Sequence, residues 1–265
     1  MIELIVRFSK LIIFVLMAGS DISRYIRIRA KIIDGISKYR LYDSNEIRVL
    51  SRLVKPGDTV LDVGANFGVY THILSACVGP EGRVIAFEPQ SILMDHLKLE
   101  FAPPTNVTLF DIALGANSFL SVKIYTPLLF GLVPEPALAS LEQLPYKTIA
   151  QIVQVEKLDS IVKNNEQISF IKVDIEGHED RFFEGARETI LRCRPIVQFE
   201  ENKISQRFGW HMKRAEEWNY SLCGIHKNGI LSELKAPHRT KEINFYLIPR
   251  ERLQEFTPIS AGLVG

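Results

Sequence analysis

Five strand–helix units in succession followed by a hairpin-like end, within 265 residues, predict an α/β fold with a doubly wound sheet. Two stretches carry that expectation. In Thr59 to Tyr70, TVLDVGANFGVY, strand-favouring residues run into the turn Gly64-Ala65-Asn66-Phe67-Gly68, and a helical pattern of Tyr70, Ile73, Leu74 and Cys77 follows. In Arg83 to Phe87, RVIAF, a second buried strand ends in Glu88, which falls 20 residues after Gly68. That is the separation at which nucleotide-binding α/β units place an acid for ribose hydroxyls. The full tally is a Rossmann-like sheet of seven strands, mostly parallel, with helices on both faces and an antiparallel strand near one edge.

The glycine turn narrows the ligand. Gly64 and Gly68 stand in a G-x-x-x-G spacing, unlike the G-x-G-x-x-G that seats a pyrophosphate. Asp62 in the same strand would repel a dinucleotide phosphate, and it suits a ligand with a cationic end such as an ammonium or sulfonium. The structural alternative is a tight turn that packs a helix onto a sheet.

Composition removes some functions. Lys and Arg number 32 against 31 Asp and Glu, a net charge of +1, so no basic excess points to nucleic acid as a partner. A hydrophobic fraction of 46% is ordinary for a globular core. Cys77, Cys193 and Cys223 are odd in number and lack metal spacing, as expected of reduced thiols in a cytoplasmic protein.

At the start of the chain, Arg7 and Lys10 precede an apolar run, Leu11 to Gly19, too short to span a bilayer. Ala18-Gly19-Ser20 is a weak cleavage site and Glu3 sits where a signal peptide would be basic. A helix that packs on the domain or covers its active-site mouth is favoured over a signal peptide or membrane anchor. Ser23 to Lys38 reads as a helix with an isoleucine face and a basic face that includes Arg24, Arg27, Arg29 and Lys31. Asp43-Ser44-Asn45-Glu46 offers N-caps for a helix carrying Ile47, Leu50, Leu53 and Val54, and Lys55-Pro56-Gly57-Asp58 ends it. Residues 1–50 are accordingly read as an N-terminal helical segment, 51–250 as the main domain and 251–265 as a tail.

Within the main domain, Ser91 to Phe101 is a helix and Asn106 to Phe110 a third strand, with Asp111-Ile112-Ala113 at its carboxyl end. Phe119 to Tyr125 is expected to pair with Ile152 to Val155 around a Pro/Leu-rich insert over 126–150, a substrate or lid loop. Lys157 to Lys163 is a short helix, Ile168 to Asp174 a strand, and helices follow through Phe182 and Ile190. Pro195 to Phe199 is a strand ending in Glu200-Glu201, Trp210 to Trp218 a helix and Tyr220 to Ile225 extended. Asn228-Gly229 signals a hairpin turn, and Asn244 to Pro249 closes the sheet.

Taken together, LDVGANFGVYT (Leu61–Thr71), GRVIAFEP (Gly82–Pro89), NVTLFDIAL (Asn106–Leu114), VEKLDSI (Val155–Ile161), FIKVDIEGHE (Phe170–Glu179) and NFYLIP (Asn244–Pro249) resemble the FkbM-type methyltransferases, class I enzymes dependent on S-adenosyl-L-methionine. The resemblance implies that Asp62, Gly64, Ala65, Asn66 and Gly68 hold the methionine part of the cofactor. It implies that Glu88 binds ribose and that Asp111 and Ala113 frame adenine. The family methylates mainly hydroxyl oxygens of sugars, polyketides and related small molecules. This chain departs from it in the insert after Tyr125 and in His178, where an alanine is common.

An alcohol acceptor needs a base or a metal to lower its pKa. Asp174, Glu176, His178 and Glu200 sit at strand ends beside the expected site, with Asp174 first choice for base or cofactor-side positioning. Three of these acids could hold Mg²⁺, though no spacing requires a metal. A nucleotide-dependent oxidoreductase and a non-catalytic cofactor-binding protein are the competing readings.

Overall fold

The computed structural model describes residues 44–129, 133–143, 145–201, 204–225, 231–235 and 244–256. The expectations for the first 43 residues, the Asn228-Gly229 turn and the tail beyond 256 fall outside the described residues.

Helix α1 (Ser44–Leu53) precedes strand β1 (Thr59–Val63), helix α2 (Val69–Val78), β2 (Arg83–Phe87), α3 (Ser91–Glu100) and β3 (Val107–Phe110). An excursion follows through β4 (Ala113–Leu114), β5 (Phe119–Leu129), β6 (Val133–Pro134), a 3₁₀ turn (Pro136–Leu138) and β7 (Thr148–Glu156). The chain returns through α4 (Leu158–Ile161), β8 (Phe170–Val173), α5 (Glu179–Gly185), α6 (Arg187–Cys193), β9 (Ile196–Glu200), α7 (Ile204–Glu217), β10 (Tyr220–Ile225), β11 (Leu231–Glu233) and β12 (Asn244–Pro249).

The main sheet has the order β11-β10-β12-β9-β8-β1-β2-β3. Strands β3, β2, β1, β8 and β9 are parallel, and β12, β10 and β11 add an antiparallel edge. Seven strands, one of them antiparallel near an edge, were expected; among the described residues the sheet has eight. The extra strand is β11, whose three residues pair with Cys223 to Ile225 and start at Leu231, in the arm that the Asn228-Gly229 signal leads into.

The sheet is wound on both sides because its central strands are apolar on both faces, as parallel strands must be. β8 is buried at every position and β1 at four of five. One core cluster gathers Leu158, Phe182, Phe183, Ile190 and Trp218 beneath α4 to α7; the other gathers Leu50, Leu74 and Leu97 beneath α1 to α3. Phe183 meets Phe182, Phe199 and Trp218 edge-on at 5.5–6.0 Å between centroids. Truncating such a phenylalanine to alanine costs roughly 3–5 kcal/mol.

The insert is more regular than its sequence suggests. β5 and β7 pair antiparallel from Phe119↔Val155 to Pro127↔Thr148, well past the expected strand ends. Proline normally breaks a ladder by removing a donor. Here Leu128 N–H donates to Lys147 on the β7 side, so the Pro127 nitrogen faces away from β7, and its carbonyl accepts the Glu135 N–H at 2.9 Å. The resulting four-stranded sheet, β4-β7-β5-β6, stands beside the carboxyl ends of the main strands.

Candidate functional site

The carboxyl ends of β1, β2 and β8 are stitched together by backbone. Gly64 and Ala65 N–H groups donate to the Phe87 carbonyl at 3.0 and 2.9 Å, and Asp174 N–H donates to Val63 at 2.9 Å. Gly64 has φ +84°, and a Cβ there would collide with the Asp174 carbonyl oxygen. Only glycine fits, because it tolerates this φ and lets β8 close against the loop. Gly68 (φ +83°) lets the chain turn into α2, and a Cβ on it would press on Leu97 of α3 and on Phe101, which follows that helix.

Glu88 locks this loop from below. It is 3% exposed; its Oε2 accepts the Asn66 N–H and its Oε1 the Gln90 N–H, each at 2.9 Å. Burial pushes its carboxyl up to about 7, against the pull of those two N–H donors. Gln90 extends the same lock into the insert. Its Nε2 donates to the Pro136 carbonyl and its Oε1 accepts the Thr126 hydroxyl, both at 3.0 Å.

Behind the loop lies a buried charged group. Asp62 is fully buried, its Oδ2 accepts the Thr71 hydroxyl at 2.6 Å, and burial raises its pKa while Lys172 opposes the rise. Lys172, only 3% exposed, sits opposite Asp62 in the β1–β8 register and donates to Asp174 Oδ2 at 2.9 Å. Its ammonium also lies 4.1 Å from the centre of the Tyr70 ring, a cation–π contact.

These strand ends open on a common cavity. Gly64, Asn66, Glu88, Ala113, Asp174, Glu176 and His178 line it together with apolar Phe87, Ile112 and Leu114. Its far wall comes from the insert, through Ile124, Pro136, Ala137 and Leu141.

Glu176 sits where this cavity meets a second, acid-rich recess that also holds Glu142, Glu179 and Glu200. It adopts φ +51°, and its carboxyl is pushed up to about 8 by burial first and then by the charges of Asp174, Glu200 and Glu179. Burial lowers the His178 pKa, which leaves the ring neutral at pH 7. Just beyond β9, Glu201 pairs with Arg207 at 3.2 Å and with His211 at 3.0 Å, while Arg207 also pairs with Asp180 at the start of α5.

The expected residues therefore divide. Gly64, Asn66, Glu88, Ala113, Asp174, Glu176 and His178 share one cavity. Glu200 faces the recess, and Asp62, Ala65 and Gly68 lie outside the cavity lining. Asp111 lies away from the cavity wall: its side chain is 68% exposed and pairs with Lys98 at 3.7 Å, and Ile112 stands in the wall instead. The chain turns outward there because β3 has ended and Ile112, not its acidic neighbour, packs on the core. Sequence reasoning missed Lys172 and Gln90. A lysine inside the otherwise apolar FIKV was the available signal for the first; Gln90 carried none.

A family model described as the methyltransferase FkbM domain matches residues 62–246. Among solved structures, the chain is similar to a methyltransferase FkbM from Methylobacillus flagellatus, at 16% identity and TM-score 0.47 over 92% of this chain and 60% of that one. The chain thus spans about 60% of that protein's length. It is also similar to Aeropyrum pernix fibrillarin with natively bound S-adenosyl-L-methionine, at 11% identity and TM-score 0.44 over 74% of this chain and 67% of that one. A Thermotoga maritima O-methyltransferase dependent on the same compound matches at 10% identity and TM-score 0.42, over 78% and 65% of the two chains. The family match takes in every strand end that lines the cavity, which bears out the resemblance read from the sequence: the chain belongs to the FkbM-domain methyltransferases.

Proposed function

We propose that the chain binds S-adenosyl-L-methionine in the cavity at the β1, β2 and β8 ends and methylates a hydroxyl oxygen of a sugar, polyketide or related small molecule. The observation that carries this reading is that Gly64 and Asn66 of the glycine turn, Glu88, Asp174 and Glu176 line one cavity. The residues fit the cofactor. Asn66 Oδ1 has no hydrogen-bond partner among the described residues, and it belongs to a residue of the cavity wall. Each Glu88 oxygen accepts one backbone N–H and keeps a further lone pair for a ribose hydroxyl. Phe87, Ile112 and Ala113 offer apolar surface to adenine, and Asp174 offers a carboxylate to a cationic end.

S-adenosyl-L-methionine supplies an electrophilic methyl group on a positively charged sulfur. The chain's own task is to orient the acceptor and take its proton, because alignment of the reacting groups supplies much of the acceleration. Glu176 is the base best placed for this. Burial and the neighbouring acids push its carboxyl up to about 8, which strengthens it as a base. Asp174, first choice on sequence grounds, spends one oxygen on Lys172 and fits the positioning role better. His178 is a neutral acceptor in the same cavity, and Glu200 raises the basicity of Glu176 from the recess.

Calorimetric titration with S-adenosyl-L-methionine, S-adenosylhomocysteine and NADH tests the reading. Micromolar binding of the adenosyl compounds without NADH is the expected result. Binding of NADH, or of none of the three, would overturn it.

A further inference from the structure

We propose that Gln90 is a positioning residue that couples Glu88 to the inserted sheet, so that the carboxylate and the wall facing it take up their places together. This rests on the cofactor reading of the cavity. Gln90 is the first residue after the Glu88-Pro89 strand end and is 6% exposed. Its backbone N–H holds Glu88 Oε1, its Nε2 reaches the Pro136 carbonyl, and its Oε1 takes the Thr126 hydroxyl. One residue therefore bonds the acid on the main sheet, the 3₁₀ turn and the β5 strand.

Two further bonds run along the same seam. Gln151 of β7 donates from Nε2 to the Pro89 carbonyl at 3.2 Å, and its Oε1 accepts from Ser91 N–H at 3.3 Å. These are partly exposed, whereas the Gln90–Pro136 bond is buried. A buried polar group left without its partner costs more than a bond that water can replace. Gln90 is thus the costly bond of the seam to lose. The segment it secures carries Pro136, Ala137 and Leu141 to the cavity wall. A ligand that touches both Glu88 and that wall would tighten the seam, and the seam would favour the ligand by the same amount.

Hydrogen exchange on the full chain, with and without S-adenosylhomocysteine, tests this in wild type, Gln90→Leu and Thr126→Val. Expected in Gln90→Leu without ligand is faster exchange of the amides of 133–141 at unchanged exchange of 170–173 in β8. With ligand, the amides of 64–68 should still gain protection, while those of 133–141 should gain little. Affinity should fall on the order of tenfold in Gln90→Leu, the equivalent of one or two lost hydrogen bonds, and less in Thr126→Val, which keeps the Pro136 bond. Full ligand-induced protection of 133–141 in Gln90→Leu would overturn the coupling, as would unchanged exchange in the free protein. If Gln90→Leu misfolds, Thr126→Val decides by the same exchange measurement. Failure of the wild type to bind would instead overturn the cofactor reading, while exchange in the free proteins still decides whether Gln90 secures the insert.

Discussion

The Asn66 amide donates to Glu88 Oε2 at 2.9 Å, so the acid expected to meet ribose also holds the glycine turn in shape. Both Glu88 oxygens are acceptors for backbone N–H groups. In Glu88→Gln the new NH₂ must face one of those donors. Adenosyl-ligand affinity should fall at least tenfold, with a loss of about 1–3 kcal/mol in unfolding free energy. Calorimetry and urea denaturation read the two effects. A variant that binds like wild type would remove Glu88 from the site.

Glu176 makes stability depend on pH in a defined direction. Its folded pKa, about 8, lies above the ordinary 4.5, so the folded state holds the extra proton between those values. Stability contributed by this group is therefore full below pH 4.5 and declines as pH rises to about 8. Glu176→Gln cannot ionise. Its stability relative to wild type should rise across that window and level off above it, as measured by urea titrations at half-unit steps.

The same group sets the rate profile if it is the base. Turnover should fall as pH drops below about 8 and level off above it. Glu176→Gln should lose turnover by about 100-fold or more and keep most of its adenosyl affinity. Asp174→Asn should also spare binding more than turnover. It should in addition destabilise the fold, because Lys172 loses the carboxylate at 2.9 Å.

Two glycines with similar φ should respond differently to alanine. Gly177 (φ +94°) has open space where a Cβ would go, so Gly177→Ala should cost only the conformational term, about 1–2 kcal/mol. Gly64→Ala adds a collision with the Asp174 carbonyl and should cost several times more. Denaturation midpoints of the two variants measure the contrast.

Asp111 offers a prediction of no effect. Its side chain is solvent-exposed and its partner Lys98 is 56% exposed, a pairing worth little. Asp111→Ala should leave adenosyl affinity within about twofold, well under the tenfold that 1.4 kcal/mol represents. A large loss in the same calorimetric titration would restore it to the adenine site.

The parallel strands were legible because a strand buried on both faces reads as an apolar run, and its acid or glycine end is then conspicuous. Asp62, Glu88, Asp174 and Glu176 all announced themselves in this way. Asp111 also follows a strand, yet its side chain faces solvent, since one residue decides whether an acid at a strand end meets the cavity. The insert was misread because Pro127 looks like a break when its nitrogen in fact needs no partner on the β7 side. Gln90 was illegible, since its two side-chain bonds join segments far apart in sequence and leave no periodic trace.

The closure of Gly64 against the Asp174 carbonyl also bears on how the protein is made. The two residues are 110 positions apart, and β1 pairs with β8 only after the whole intervening excursion has been synthesised. The turn that most clearly announces the site is thus built early and completed late. A ribosome-bound chain halted before β8 would present the glycine turn to solvent without the strand that closes it, and ligand capture should begin only after β8 has emerged.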